Sequence, residues 1–177
     1  RKRGLTQVTI GAGVLVIVGF YYFTGGHKAE TISDFSDCAK YGYPIMESYP
    51  RQCKAPDGQT FKEDIGNELL KDNLIRIAEP RPNTAIKSPL LIKGMARGNW
   101  FFEASFPVRL FDGNGEMLAK GIARAKGDWM TKEFVPFEAT ISFIASSTPN
   151  GTLLLERDNP SGLPDNEDAL IVPVKFR

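Results

Sequence analysis

The stretch GNWFFEASFPVRLFD, Gly98–Asp112, decides how this chain is read. Three aromatic residues, Trp100, Phe101 and Phe102, run directly into Glu103. Such a cluster is a carboxylate in an apolar pocket, an aromatic contact patch or a core strand. Counted with a period of two, Trp100, Phe102, Ala104, Phe106, Val108 and Leu110 share one apolar face, whereas Phe101, Glu103, Ser105, Pro107, Arg109 and Phe111 form a mixed one. That alternation predicts a strand with one side in a core. Glu103 then points away from the interior, so a solvated or paired carboxylate is expected, not the raised pKa that a general acid needs. Phe101 lies on the same mixed face. An aromatic off the core is costly unless covered, which makes Phe101 and Trp129 the candidate interaction surface. Trp129 would serve equally well as a core plug.

Beyond this stretch, about seven short β-like runs separated by turn residues fill Leu74 to the C-terminus, among them LIRIAE, LLIKGMA, MLAKGIARA, FEATISFIA, TLLLER and LIVPVKF. RPNT, DGNG, KGD and TPNG lie between them. This predicts a mainly β chain with an immunoglobulin-like antiparallel β-sandwich over 74–177. Pro173 argues that the last strand lies at an edge or carries a bulge.

Before the sandwich, residues 34–63 contain the only two cysteines, Cys38 and Cys53. In an exported chain an even pair at this spacing predicts a disulfide. Closing such a loop is worth on the order of 3 kcal/mol, and a segment this short has too little core to fold unaided. Residues 64–73 read as a polar connector with one helical turn around Glu68–Lys71.

At the start, Arg1, Lys2 and Arg3 precede an uncharged run from Leu5 to Phe23. As a helix it would reach roughly 28 Å, close to the thickness of a bilayer's hydrocarbon core. Residues 1–4 are thus a cytoplasmic basic start, 5–23 a transmembrane anchor touching the lipid bilayer and 24–33 a tether, with all that follows outside the membrane. The alternative is a cleaved signal peptide and a secreted chain.

Without those three basic residues, the twenty-two Lys and Arg fall to nineteen against twenty-one Asp and Glu. The body is slightly acidic and lacks a basic run, so nucleic acid is not the expected partner. A lone histidine, His27, sits in the tether and leaves histidine-based acid–base and zinc chemistry without its usual residues. DGNGE, Asp112–Glu116, fails the calcium-loop spacing and reads as a hairpin turn. Asp158, Asp165, Glu167 and Asp168 read as a solvated acidic loop. No cofactor, metal or catalytic residue is assigned.

Residues 75–177, with the Pro89–Leu90 start, Gly94, WFFEASF, the Asn114–Gly115 turn, GDW at Gly127–Trp129 and the closing SGLP…IVPV, closely resemble the immunoglobulin-like domain of bacterial spore-germination proteins, of the Gmad type. The resemblance implies an exported sandwich of binding or structural role with no catalytic residues to carry over. The GYP…SYPRQC core of 34–63 is similar to a small two-cysteine module of uncharacterised exported bacterial proteins, which implies no activity.

The expected function is therefore a membrane-anchored extracytoplasmic binding or structural module of the bacterial cell envelope, displaying its sandwich to a protein partner or wall polymer, and not an enzyme. One alternative is a protease-inhibitor-like module presenting Arg51 from the disulfide loop. Another is a small glycan-acting enzyme built on a carboxylate pair.

Overall fold

The structure is a computed structural model describing residues 31–144 and 146–177. The expected anchor over 5–23 lies outside the described residues. Among the described residues no helix is long and apolar enough to cross a membrane. Residues Ile32–Arg177 form one compact unit.

The unit begins with helix α1 (Phe35–Lys40), whose N-cap Asp34 accepts the Asp37 N–H at 2.8 Å. A three-stranded antiparallel sheet follows: β1 (Ile45–Met46), β2 (Gln52–Lys54) and β3 (Thr60–Lys62). The disulfide Cys38–Cys53 joins α1 to β2 across a Cα–Cα distance of 6.0 Å. Both cysteines are fully buried with Phe35, and Tyr43 and Phe61 pack around them. The staple is thus the centre of this small core. Helix α2 (Glu68–Lys71) falls on the four residues where one helical turn was expected.

Eight strands complete the chain: β4 (Ile75–Glu79), β5 (Ala85–Ile86), β6 (Leu90–Arg97), β7 (Ser105–Asp112), β8 (Met117–Ala125), β9 (Phe134–Ile141), β10 (Asn150–Glu156) and β11 (Ala169–Phe176). They hydrogen-bond in the order β4-β6-β9-β8-β7-β10-β11-β5. β8 and β9 pair only through Arg124–Glu138 and Ala125–Phe137, and this short seam is the corner at which the sheet folds over on itself. One leaf is β4-β6-β9 and the other is β8-β7-β10-β11-β5. Their inner faces meet in one core, where Phe106 of β7 stands edge-on to Phe137 of β9 with centroids 4.9 Å apart. At Gly121 of β8 a Cβ would come within 2.5 Å of the Ile141 side chain of β9, so the close approach of the leaves excludes a larger residue there.

Seven of these strands match the runs expected from sequence. The eighth, β5, is two residues long and pairs in parallel with the end of β11, too short to carry a period. β11 is neither the edge strand nor the bulged one expected from Pro173, since β5 pairs with its end and its register with β10 is unbroken, but Pro173 itself lies outside the β5 pairing. β11 pairs with β10 along its whole length. On its other side it meets loop residues, with the Asn83 N–H bonding to the Pro173 carbonyl at 2.8 Å. The missing donor of Pro173 faces no neighbouring strand.

The opening stretch departs from its expected alternation. Gly98–Trp100 is a 3-10 turn and the strand starts only at Ser105. Between them Phe102 and Ser105 exchange two 3.0 Å backbone hydrogen bonds around Glu103 (φ 48°) and Ala104 (φ 60°). Two successive left-handed residues reverse the chain, so face parity is not carried across them. Phe106, Val108 and Leu110 are fully buried as expected, as is Trp100 at 1% exposed. Phe101, expected on the outer face, is in the core at 4%, whereas Phe102, expected inside, is 42% exposed.

Candidate binding cleft

The disulfide-stapled module faces the outer side of the β7-β10-β11 leaf across an open cleft. Three sets of polar contacts surround it: the first lies within the module and reaches Asn83, the second joins Tyr49 to the connector and to Arg81, and the third ties the connector to β11. Arg51 grips Glu63 with two bonds, Nε–Oε2 at 2.8 Å and Nη2–Oε1 at 2.7 Å. Asn83 of the sandwich donates to the Glu63 carboxylate at 3.3 Å and to the Asp64 carbonyl at 2.6 Å. The Glu63 carboxyl is held below the usual carboxylate range, first by its hydrogen bonds from Arg51.

The second set centres on Glu68, which is 8% exposed. Its carboxylate receives Arg81 Nη1 at 2.5 Å and the Tyr49 hydroxyl, while Arg81 also donates to the Tyr49 oxygen at 2.6 Å and to the Ile77 carbonyl at 2.6 Å. Tyr49 keeps half of its surface exposed, but desolvation around its hydroxyl, followed by the bond to Glu68, pushes the phenol up to about 12. In the third set Asn67 acts as a substitute strand for the edge of β11. It receives the Ile171 N–H at 2.7 Å and donates to the Ala169 carbonyl at 2.8 Å. Lys71 pairs with Asp168 at 2.5 Å beside it.

Between module and leaf lies a cleft of about 1110 Å³, floored by Phe111, Thr152, Leu154 and Pro173. A second hollow of about 640 Å³ is floored by Pro107, Arg109, Glu156 and Ile171 and walled by the 157–168 loop. These floor residues are successive outward positions of the same three strands. The two hollows lie in succession on this face and share no lining residue, and the first and larger of them forms a trough between module and leaf.

The charges around the first hollow are unequally engaged. Asp112 is 5% exposed and closes the β7–β8 hairpin by accepting the Asn114 and Glu116 N–H groups at 2.9 Å. The hairpin expected at DGNGE is thus present, and its carboxylate is used within it. Glu63 is neutralised by Arg51, Asp34 caps α1, and Asp64 accepts the Gly66 N–H at 2.8 Å. Lys40, Lys62 and Lys175 also line the hollow. Among the described residues their ammonium groups make no hydrogen bond or ion pair, and Lys40 has only the longer-range field of Asp37.

Phe101 is withdrawn from the candidate interaction surface, because it is buried against Phe106 with centroids 5.3 Å apart. Trp129 is half-buried and packs on the core edge, the plug reading rather than an exposed contact. The inhibitor reading of Arg51 also falls. Its guanidinium is bound to Glu63 and lies 5.3 Å over the Phe35 ring, whereas a presented residue must project free. Cys38 and Cys53 form the expected disulfide. Among the described residues no group of three or more His, Cys, Asp or Glu could hold a metal ion, Asp158, Asp165, Glu167 and Asp168 included. Sequence reasoning missed the trough because its floor comes from three strands and its walls from distant segments. The unengaged lysines carried no local signal.

An immunoglobulin-like sandwich whose outer face is partly roofed by a small stapled module is the class of protein this geometry defines. A family model described as the immunoglobulin-like domain of bacterial spore germination matches residues 74–162, half of the chain, and the chain belongs to that family. The match ends in the loop before β11 and leaves the two-cysteine module outside it. No curated protein and no solved structure matches the chain significantly.

Proposed function

We propose that the chain is a non-catalytic binding module of the bacterial cell envelope, anchored by residues 5–23, with its stapled unit and sandwich outside the membrane. The observation that carries this reading is the trough. An open, walled groove built on a sheet and fixed by polar clamps at Glu63 and Glu68 is organised to receive a ligand before the ligand arrives. The carboxylates around the first hollow are taken up by turns, caps and Arg51, so none is set aside as an acid–base pair. The family membership supports a binding or structural role.

The deciding experiment is co-sedimentation of the full chain in detergent with purified cell-wall sacculi, with and without reductant. Pelleting with the wall, lost on reduction, is the expected result. A chain that stays in the supernatant under both conditions would count against a wall ligand and turn the search to protein partners by cross-linking in intact membranes.

A further inference from the structure

We infer that the free edge of β8 receives an extended acidic segment of a partner protein, added to the sheet as a further strand. The site lies across β7 from the trough and goes beyond the reading built on it. Three observations carry the inference. The first is the ladder. β8 pairs with β7 from Ala119 to Arg124 without a break, but β9 meets it only at Arg124 and Ala125. A strand turns its N–H and C=O groups to its two neighbours in alternation. The Ala125 N–H bonds to the Ala104 carbonyl, on the β7 side, and the Lys126 N–H to the Pro136 carbonyl, on the β9 side, both at 2.8 Å. Counting back, Ala119, Gly121 and Ala123 turn their backbone groups to β7, whereas Lys120 and Ile122 turn theirs to the open edge. Pro107, which has no N–H to give, accordingly stands opposite Ile122. No residue of β9 pairs with Lys120 or Ile122. Their donors and acceptors are therefore offered to an added strand.

The second is the state of the core beside this edge. The inward side chains of β7, Phe106, Val108 and Leu110, are fully buried, but on β8 only Ala123 is. Leu118 and Ala119 pack on the core and remain partly exposed, as does Gly121. A strand laid along the edge would cover them with its own inward side chains.

The third is charge. Lys120 and Arg124 flank Ile122, which is 49% exposed, on the outward face. Neither cation has an ion pair among the described residues. On the neighbouring strands Glu138 is taken by Lys126 at 3.3 Å and Glu156 by Arg109 at 3.1 Å. Glu103 and Glu116 lie beyond the two ends of the segment. A second copy of the chain would bring the same cations to the seam, which opposes self-pairing. An acidic strand would set its carboxylates beside them instead.

The test is fluorescence polarisation of the full chain in detergent with three labelled eight-residue peptides. One alternates valine and glutamate, and one alternates valine and lysine. The third is the valine–glutamate peptide N-methylated at each glutamate, whose N–H groups face β8 when their side chains lie beside Lys120. The wild type should bind the first and bind the other two at least tenfold more weakly. Ile122→Pro removes an edge donor without touching the β7 ladder, and should lower affinity for the first peptide at least tenfold. Lys120→Glu/Arg124→Glu should reverse the preference towards the valine–lysine peptide. Lys54→Glu/Lys132→Glu, the same change of charge at exposed positions off this edge, should keep most of the wild-type affinity.

The inference is overturned if the valine–glutamate peptide does not bind, or if its N-methylated form binds as well, since the contact is then not a ladder. Equal binding of the valine–lysine peptide, or equal losses in the two charge variants, overturns the acidic partner. A dimer in light scattering that Ile122→Pro dissolves would give the edge to a second copy and also overturn it. Should Ile122→Pro fail to fold, the N-methylated peptide on the wild type decides the same point.

Discussion

At the scale of single residues, Glu103 and Ala104 set the local geometry. Both adopt a conformation that costs an L-residue roughly 1–2 kcal/mol. Their turn sends Phe101 into the core and leaves Phe102 outside. Replacing them with the pair best suited to this turn, Glu103→Asn/Ala104→Gly, should raise stability by about 1–2 kcal/mol in urea titration. An unchanged midpoint would mean that the strain is relieved in some other way. The two aromatics should differ sharply: Phe101→Ala should cost about 3–5 kcal/mol, and Phe102→Ala within about 0.5.

Tyr49 gives a residue-scale prediction in alkali. Its folded pKa of about 12 lies above the ordinary phenol value near 10. Folding therefore keeps the proton, and the contribution is fully present below pH 10 and lost as pH rises through about 12. Absorbance at 295 nm should show one of the five tyrosines ionising last in the folded chain. Tyr49→Phe should remove that late step and no other.

At the scale of elements, the stapled module and the clamp residues carry the argument. Reduction of Cys38–Cys53 should lower stability by roughly 3 kcal/mol, as loop-closure entropy suggests. Cys38→Ser/Cys53→Ser should reproduce the loss without reductant. The Arg51–Glu63 clamp adds a dependence on acid. Because the folded Glu63 pKa is depressed, its contribution is present above the unfolded carboxylate value and is lost as pH falls through the folded one. Wild type and Arg51→Gln should thus differ most above about pH 5, and their urea midpoints should converge in stronger acid. A gap that persisted in acid would place the effect of Arg51 in its packing on Phe35 instead.

Elements also show where a sequence pattern can be trusted. The runs behind β6, β7, β9 and β11 alternate because one side of each strand is buried and the other is not, and burial acts directly on residue type. β5 and the 102–105 hairpin escaped the pattern for opposite reasons. Two residues are too few for a period, and Glu103–Ala104 lacks the Asn or Gly that normally marks a left-handed turn.

At the scale of the whole molecule, the sheet folds at the short β8–β9 seam, the module faces the outer leaf, and the trough arises between them. Asn83 bonded to Glu63 and Arg81 bonded to Tyr49 join the module to the sandwich, and Asn67 fastens the connector to β11, all within the compact unit Ile32–Arg177. Heating should therefore unfold module and sandwich in one calorimetric transition. Arg81→Ala should lower the temperature of that transition, because it leaves Glu68 buried without its cation.

The β-sandwich, its family, the disulfide pair and the hairpin at Asp112–Glu116 were all legible in the order of residues. Each of these follows from neighbours a few residues apart or from an unambiguous pair. Which phenylalanine is buried, which carboxylates are already engaged and where three lysines from α1, β3 and β11 come together were settled only by tertiary packing. The phenylalanines are sorted by a turn at Glu103–Ala104 that carries no Asn or Gly to announce it, the carboxylates are engaged by backbone N–H groups and an arginine whose positions only the folded chain fixes, and Lys175 meets Lys40 and Lys62 across more than a hundred residues of chain, which no local period encodes.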